Sequence, residues 1–119
     1  MHVCACGKRT YEPRQIADQR NRLAPGPAEA FRAFSKSVFA EGAIPTKTKQ
    51  LIAVAVAHVT QCPYCIRGHT RAALRHGATA EEIMEAIWVA AEMRAGGAYT
   101  RPWLWIRSRT PEKKGDRTR

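Results

Sequence analysis

The sequence contains few acidic residues and no long apolar segment. Ten aspartates and glutamates stand against 20 lysines and arginines in 119 residues, which gives a formal net charge of +10. The longest apolar run, Leu51–Val59, has nine residues including His58, which excludes a bilayer-spanning helix of about 20 apolar residues. The first ten residues include no apolar segment, so we expect no secretory signal, no lipid attachment at Cys4 and a cytoplasmic protein.

The positive charge is concentrated at the two ends of the chain. Residues 25–100 hold eight basic and six acidic side chains, whereas residues 101–119 hold seven basic and two acidic ones. A hydrophobic fraction of 45% with 25% charged residues is typical of a folded domain and excludes wholesale disorder. We expect a partly ordered extension over residues 1–24, a helical domain over 25–106 and a solvated, flexible basic tail over 107–119.

The spacing of apolar residues predicts helices and almost no strand, so the expected fold class is all-α. The predicted helices cover residues 27–40, 47–59, 63–76 and 79–94. The second is apolar on nearly every side, so we expect it to be central and buried or to be buried against another subunit. We expect Gly96 and Gly97 to end the fourth helix. We expect the first helix to have one apolar face (Phe31, Phe34, Val38, Phe39). We expect the fourth to present its apolar residues to the core (Ile83, Ile87, Ala90, Ala91).

A short aromatic segment follows the last predicted helix. Its residues are too apolar for a small domain to leave in water, so we expect them to cap the bundle or to pack into a neighbouring subunit. The segment contains Tyr99, Trp103, Trp105 and Ile106.

The stretch from Gln61 to His69 contains the candidate catalytic residues. Pro63 fits the first position of a helix, so Cys62 is the expected N-cap and Cys65 lies on the same side of the first turn. The two thiols are then close enough for a reversible disulfide. The positive end of the helix dipole favours both thiolates, so their pKa values should fall below that of a free thiol. His69 lies one turn after Cys65 on the same face and can exchange a proton with that sulfur.

Three other interpretations of this stretch stay open. A structural zinc site needs four ligands, and Cys62, Cys65 and His69 supply three. A structural disulfide would close a loop too short to constrain the unfolded chain much, and two inert core cysteines are the third interpretation. The fourth zinc ligand could come from one of several residues: Cys4, Cys6, His58 or His76.

The ordered string of motifs over residues 25–100 resembles the carboxymuconolactone decarboxylase family. Its alkylhydroperoxidase (AhpD-like) branch is the closer match, because that branch carries a CxxC pair with a histidine four residues later. The resemblance implies an all-helical fold that assembles into trimers or hexamers, and a thiol peroxidase activity recycled by an external dithiol. The motifs are Ile44–Lys49, Leu51–Ala57, Cys62–Cys65, His69–Thr70, Ala72–Ala73, Gly77–Thr79 and Glu81–Ile83.

The resemblance also implies roles for individual residues. Cys65 matches the cysteine that meets the peroxide, Cys62 its resolving partner and His69 the histidine of the proton relay. The family motif usually has a glutamate twelve residues before the first cysteine, where this chain has Gln50, and often a histidine where it has Tyr64. Glutamine can hold a histidine by a hydrogen bond but cannot accept a proton.

Other groups could join the proton relay. His58, four residues before Cys62, and Glu92 are the further candidates. We expect neither a cofactor nor a metal at the site, an organic hydroperoxide as substrate, and a thioredoxin-like protein or other dithiol as reductant. The alternatives are a disulfide reductase or redox sensor without peroxide turnover, and a small oligomeric binding protein whose basic tail contacts an anionic partner. We expect neither a membrane nor a nucleic acid as partner.

Overall fold

The computed structural model describes residues 13–109, of which 83% are helical and none lies in a strand. The predicted all-α fold class is confirmed. Cys4, Cys6 and residues 110–119 of the basic tail lie outside the described residues. The six helices are α1 (Pro13–Leu23), α2 (Pro25–Val38), α3 (Thr46–Thr60), α4 (Pro63–Arg75), α5 (Ala80–Tyr99) and α6 (Pro102–Arg109).

The described residues divide into two compact units, with the boundary in the sequence between residues 40 and 41. In the first unit α1 packs against α2. The sequence did not predict α1, because its mostly polar side chains carry little apolar periodicity. The apolar face expected on α2 exists, and the Phe31 and Phe34 rings contact each other at 6.2 Å, but these side chains are 68% and 63% exposed. The predicted division of the chain at residues 25 and 107 stays a prediction.

In the second unit α3 packs against both α4 and α5. The core is small: Val54 of α3, Ala73 of α4, and Ala78 and Ile83 are buried together, and Leu51 and Ile87 pack against them. The expectation that α3 is central is correct. In the single chain, two helices cover only part of the circumference of α3 and leave other apolar side chains exposed, among them Ile52 and Val56. Burial of this remaining surface against another subunit stays a prediction.

The predicted starts of α4 and α5 are confirmed by their capping hydrogen bonds. The Thr79 hydroxyl accepts from the Glu82 N–H at 3.1 Å while the Glu82 carboxylate accepts from the Thr79 N–H at 2.9 Å, which is a capping box. Cys62 is the N-cap of α4 and Pro63 its first residue. After α4, Gly77 adopts a φ of +87°, a conformation that favours glycine.

The predicted end of α5 is wrong, because the helix continues through Gly96 and Gly97 to Tyr99. Glycine lowers helix stability by about 1 kcal/mol but keeps its backbone N–H, so it does not by itself end a helix. The Thr100 N–H still donates to the Gly96 carbonyl at 2.9 Å, and α6 begins at Pro102. The core face of α5 is also narrower than expected, since Ala91 is exposed.

The aromatic segment does not cap the bundle of the single chain. Tyr99 is 83% exposed, and Trp103, Trp105 and Ile106 are each about half exposed. Arginine side chains lie over the two indole rings instead: Arg107 over Trp103 at 5.6 Å and Arg109 over Trp105 at 5.0 Å. Packing of these residues into a neighbouring subunit stays a prediction.

An ion pair joins the starts of α3 and α5 and predicts a pH dependence of stability. The Lys47 ammonium group and the Thr79 N–H, both hydrogen-bonded to the carboxylate, hold the pKa of Glu82 below its ordinary value of 4.5. A depressed pKa stabilises the fold above the unfolded-state pKa, and this contribution is lost as the pH falls through the folded-state pKa.

We therefore expect Glu82→Gln, which can keep the bond to Thr79, to lower the urea midpoint at pH 7 and to weaken its fall on acidification below pH 4.5. Glu81→Gln is the control, because it removes a neighbouring carboxylate and leaves the contact with Lys47. Equal acid sensitivity of the wild type and Glu82→Gln would contradict the assignment.

Candidate functional site

Cys62 and Cys65 form a disulfide at the start of α4. Their Cα atoms lie 5.3 Å apart, and both residues are half-buried. Cys62 is the N-cap and Cys65 lies in the first turn, as the sequence predicted. The pair is therefore near enough in space to open and close by thiol–disulfide exchange, which fits a redox role for this CxxC motif.

The turn between α3 and α4 fixes the position of the pair. Gln61 ends α3 in the left-handed conformation, with φ at 56°, and this reverses the chain direction. The N–H groups of Gln61 and Cys62 both donate to the Ala57 carbonyl, the latter at 3.1 Å. Pro63 then begins α4 without leaving an unpaired N–H. The backbone thus delivers Cys62 directly to a helix start.

The helix start stabilises negative charge on sulfur. The Cys65 N–H donates to Cys62 Sγ at 3.3 Å, so the sulfur takes the place of the hydroxyl or carboxylate that usually caps a helix. When the disulfide is reduced, the same N–H and the positive end of the α4 dipole favour the thiolate. This arrangement makes Cys62 a good leaving group in exchange reactions.

His69 is held by a buried glutamine on α3. The amide oxygen of Gln50 lies 2.8 Å from His69 Nδ1, and Gln50 is only 7% exposed. Because a carbonyl oxygen can only accept, Nδ1 carries the proton and Nε2 of the neutral ring carries the lone pair. His69 lies one helical turn after Cys65 on α4, so the two residues share one face of the helix.

The other predicted relay residues have different surroundings. His58, in the last turn of α3, donates from Nδ1 to the Val54 carbonyl at 2.7 Å and is half-buried. Tyr64 lies between the cysteines with its side chain 66% exposed. Glu92 is exposed on α5, where its carboxylate lies over the next turn of its own helix, close to Gly96. Of the relay candidates, the structure joins Gln50 to His69 by a hydrogen bond.

Sequence reasoning missed the contact that holds the end of α3. Arg94 of α5 donates from Nη1 to the Val59 carbonyl at 2.7 Å, and this positive charge lies at the negative end of the α3 dipole. A signal existed in the sequence, because Arg94 continues the spacing of Ile83, Ile87 and Ala90 along the face of α5 that packs on α3. Arg94 thereby braces the turn that leads to the cysteines.

Within residues 13–109 no group of three or more histidine, cysteine, aspartate and glutamate side chains is arranged to hold a metal ion. Cys4 and Cys6, two of the possible fourth zinc ligands, lie outside that range. In the same range no helix is long and apolar enough to cross a membrane.

Comparisons with known proteins agree with this architecture. The model of the carboxymuconolactone decarboxylase family matches residues 25–107. The chain is 73% identical over 71 residues to "Uncharacterized protein 4 in cox locus" of Paracoccus denitrificans and 39% identical over 72 residues to an uncharacterized protein of Cupriavidus necator. Each match covers 60% of this chain and 64% of the relative's length.

Among the solved structures that are similar to this one, two each have a TM-score of 0.62. One is a protein of Methanobacterium thermoautotrophicum, 40% identical, in which 66% of this chain matches 88% of that chain. The other is an apo carboxymuconolactone decarboxylase family protein of Legionella pneumophila, which is 34% identical. The match covers 68% of this chain and 71% of that chain. The CxxC pair is consistent with the alkylhydroperoxidase-like branch. This chain belongs to the carboxymuconolactone decarboxylase family.

Proposed function

We propose that this protein is a dithiol peroxidase that reduces organic hydroperoxides. The observation that carries the proposal is the placement of the Cys62–Cys65 pair in the first turn of α4, one turn before a histidine that Gln50 holds. Membership of a family that includes alkylhydroperoxidases supports it. An inert structural disulfide would need neither the helix start nor the oriented histidine.

The cycle has three balanced steps. The Cys65 thiolate attacks the distal oxygen of a hydroperoxide, the O–O bond breaks, and the alkoxide takes a proton to leave as an alcohol, with Cys65 oxidised to a sulfenic acid. The Cys62 thiolate attacks that sulfur, and the hydroxyl group leaves with a proton as water. An external dithiol then reduces the disulfide by exchange and is itself oxidised to a disulfide.

His69 supports the first step through Nε2. A neutral ring with its proton on Nδ1 can take the thiol proton at Nε2 and then pass it to the departing alkoxide, which balances the proton transfer within one residue. Gln50 fixes the tautomer but cannot take the proton further. His69 therefore carries the proton transfer alone in this proposal, or shares it with His58 or Glu92.

The surroundings of the pair favour an organic hydroperoxide over hydrogen peroxide. Ile66 is half-buried beside Cys65, and Val59 and Tyr64 add partly exposed apolar surface near the turn. Because the cycle consumes a reducing dithiol in every turnover, we place the protein in the reducing cytoplasm. The exposed apolar side chains support self-association, and the trimers or hexamers we propose are those that the family resemblance implies.

A second candidate function is disulfide reduction or redox sensing without peroxide turnover. The observation that favours it is the hydrogen bond of Gln50 to His69, because a glutamine in this position cannot accept a proton from the histidine. This alternative keeps the exchange chemistry of Cys62 and Cys65 and removes only the reaction with peroxide.

The two candidates differ in the response of the reduced protein to one equivalent of cumene hydroperoxide. For a peroxidase we expect the Cys62–Cys65 disulfide to form within seconds to minutes, as mapped by mass spectrometry of alkylated peptides. Cys62→Ser should stop at a sulfenic acid on Cys65, which dimedone traps. Cys65→Ser should leave Cys62 reduced.

The control oxidant is a low-molecular-weight disulfide, which oxidises the pair by exchange and needs no proton relay. If that reagent oxidises both cysteines while the hydroperoxide leaves them reduced, the peroxidase proposal is wrong and the reductase or sensor is correct. Oxidation of Cys65→Ser at the wild-type rate would show that the roles of the two cysteines are reversed.

The hydrogen bond between Gln50 and His69 predicts a difference between two substitutions. Gln50→Leu removes the acceptor for Nδ1, so it should slow oxidation of Cys65 by cumene hydroperoxide by about 10- to 100-fold and destabilise the fold by about 1–3 kcal/mol. Gln50→Glu keeps an acceptor and adds a proton acceptor, so its oxidation rate should equal or exceed that of the wild type.

Reduction of the disulfide by dithiothreitol does not need His69. Its rate therefore distinguishes a loss of His69 positioning from general damage to the fold. We expect its rate to be nearly the same in the wild type and both variants. Wild-type oxidation kinetics in Gln50→Leu would contradict a role for the hydrogen bond in the reaction.

A further inference from the structure

The turn that leads from α3 to Cys62 has a backbone conformation that its own residue disfavours. Gln61 has a φ of 56° and, among residues 13–109, is the one residue other than glycine with a positive φ. Glycine usually occupies this position after a helix, because a side chain in the left-handed region costs free energy. The Gln61 side chain is exposed, so its burial does not offset that cost. Contacts around Gln61 must therefore hold the turn.

One group of these contacts is local to the end of α3. The Ala57 carbonyl accepts hydrogen bonds from the N–H groups of Gln61 and Cys62 and, at 3.3 Å, from the Thr60 hydroxyl. All three donors belong to the turn itself. If the last turn of α3 unwinds, these bonds are lost together and Cys62 moves with them.

Arg94 adds a contact from outside the turn. Its Nη1 donates to the Val59 carbonyl at 2.7 Å, although Arg94 lies 35 positions further along the chain. The helix that carries it, α5, also packs on α3 in the core, where Val54 and Ile83 are buried together. The bond therefore ties the carbonyl two residues before Gln61 to a helix that does not unwind with the turn.

We propose that Arg94 is a positioning residue for the redox pair. Through the Val59 carbonyl it holds the turn at Gln61, and this turn keeps Cys62 within reach of its partner. In the oxidised protein the disulfide itself fixes Cys62 to Cys65, with their Cα atoms 5.3 Å apart. Once the disulfide opens, the position of Cys62 depends on the hydrogen bonds of the turn. The inference rests on the proposed function in one respect, the opening and closing of this pair.

Closing the disulfide is the step that depends on Arg94. When Cys65 has reacted with an oxidant, the Cys62 sulfur must approach it in line with the group that leaves. A turn that unwinds lowers the effective concentration of Cys62 at Cys65 and slows this step. It also withdraws Cys62 Sγ from the Cys65 N–H, which donates to it at 3.3 Å and favours the thiolate. The first attack on the oxidant is bimolecular and needs no such alignment.

The reagent dithiobis(nitrobenzoate) separates the two steps without peroxide. One cysteine thiolate of the reduced protein attacks this aromatic disulfide, which releases a coloured thionitrobenzoate and leaves a mixed disulfide on the protein. The other cysteine thiolate attacks the protein sulfur of the mixed disulfide, the Cys62–Cys65 bond forms and a second thionitrobenzoate leaves. Both thiol protons pass to the buffer. In stopped-flow absorbance, the phase whose rate does not depend on the reagent concentration is the closing step.

Three substitutions test the contact. Arg94→Met removes the donor to Val59 and should slow the closing step by about three- to tenfold, while the first step keeps its rate. Arg94→Lys retains a donor and should restore most of the closing rate. Arg101→Met is the matched control, because Arg101 is exposed two residues after the end of α5 and its removal changes the charge equally. This control should close at the wild-type rate.

The strain at Gln61 supplies a second test. Glycine adopts the left-handed conformation without a side-chain cost, so the turn in Gln61→Gly needs less support. In that background Arg94→Met should slow closing by less than about twofold, and a double-mutant cycle measures this coupling. General damage to the fold would slow closing equally with glutamine or glycine at this position.

Three results would overturn the inference: wild-type closing in Arg94→Met, equal slowing in Arg94→Met and Arg94→Lys, or the same slowing by Arg94→Met with and without Gln61→Gly. None of these measurements uses a hydroperoxide. Closing that depends on Arg94, in a protein that a hydroperoxide leaves reduced, would support the inference and contradict only the peroxidase proposal.

Discussion

The hydrogen bond between Gln50 and His69 is the constraint on which the site depends. It joins the first half of α3 to the middle of α4, while the Ala57 carbonyl and the Cys62 N–H join the same helices near their connection. Because it is held at its start and at its middle, α4 cannot rotate about its axis without breaking the contact to the buried Gln50 amide. The bond also decides which ring nitrogen carries the proton, so one contact fixes both the position and the chemistry of His69.

Among the described residues, the large apolar side chains that are exposed outnumber those that the small core buries. Val54 and Ala73 are fully covered, yet Trp88 and Met93 of α5 are each more than 60% exposed. An open groove of about 350 Å³ between α3 and α5 is lined by six apolar residues and by Arg94. Val59, in the last turn of α3, belongs to this groove and also lies beside the turn that carries the cysteines.

Local signals in the sequence were sufficient for some features and insufficient for others. The caps at Cys62 and Thr79 were predictable, because each depends on residues within three positions. The continuation of α5 through Gly96 was not predictable from local signals, because the cost of glycine in a helix is smaller than the gain from continued hydrogen bonding. The relay was predictable only in part: the spacing indicated His69, but the bond to Gln50 depends on how α3 packs against α4.

The central claim is that Cys62 and Cys65 form a reversible redox pair and not a structural disulfide. Its most direct test is the reduction potential of the folded protein, measured by equilibration with dithiothreitol redox buffers and quantification of alkylated cysteines. Because the helix start stabilises the reduced pair, we expect a value between roughly −180 and −270 mV, the range of thiol oxidoreductases. A value below about −300 mV, or reduction only after unfolding, would identify a structural disulfide and contradict the account.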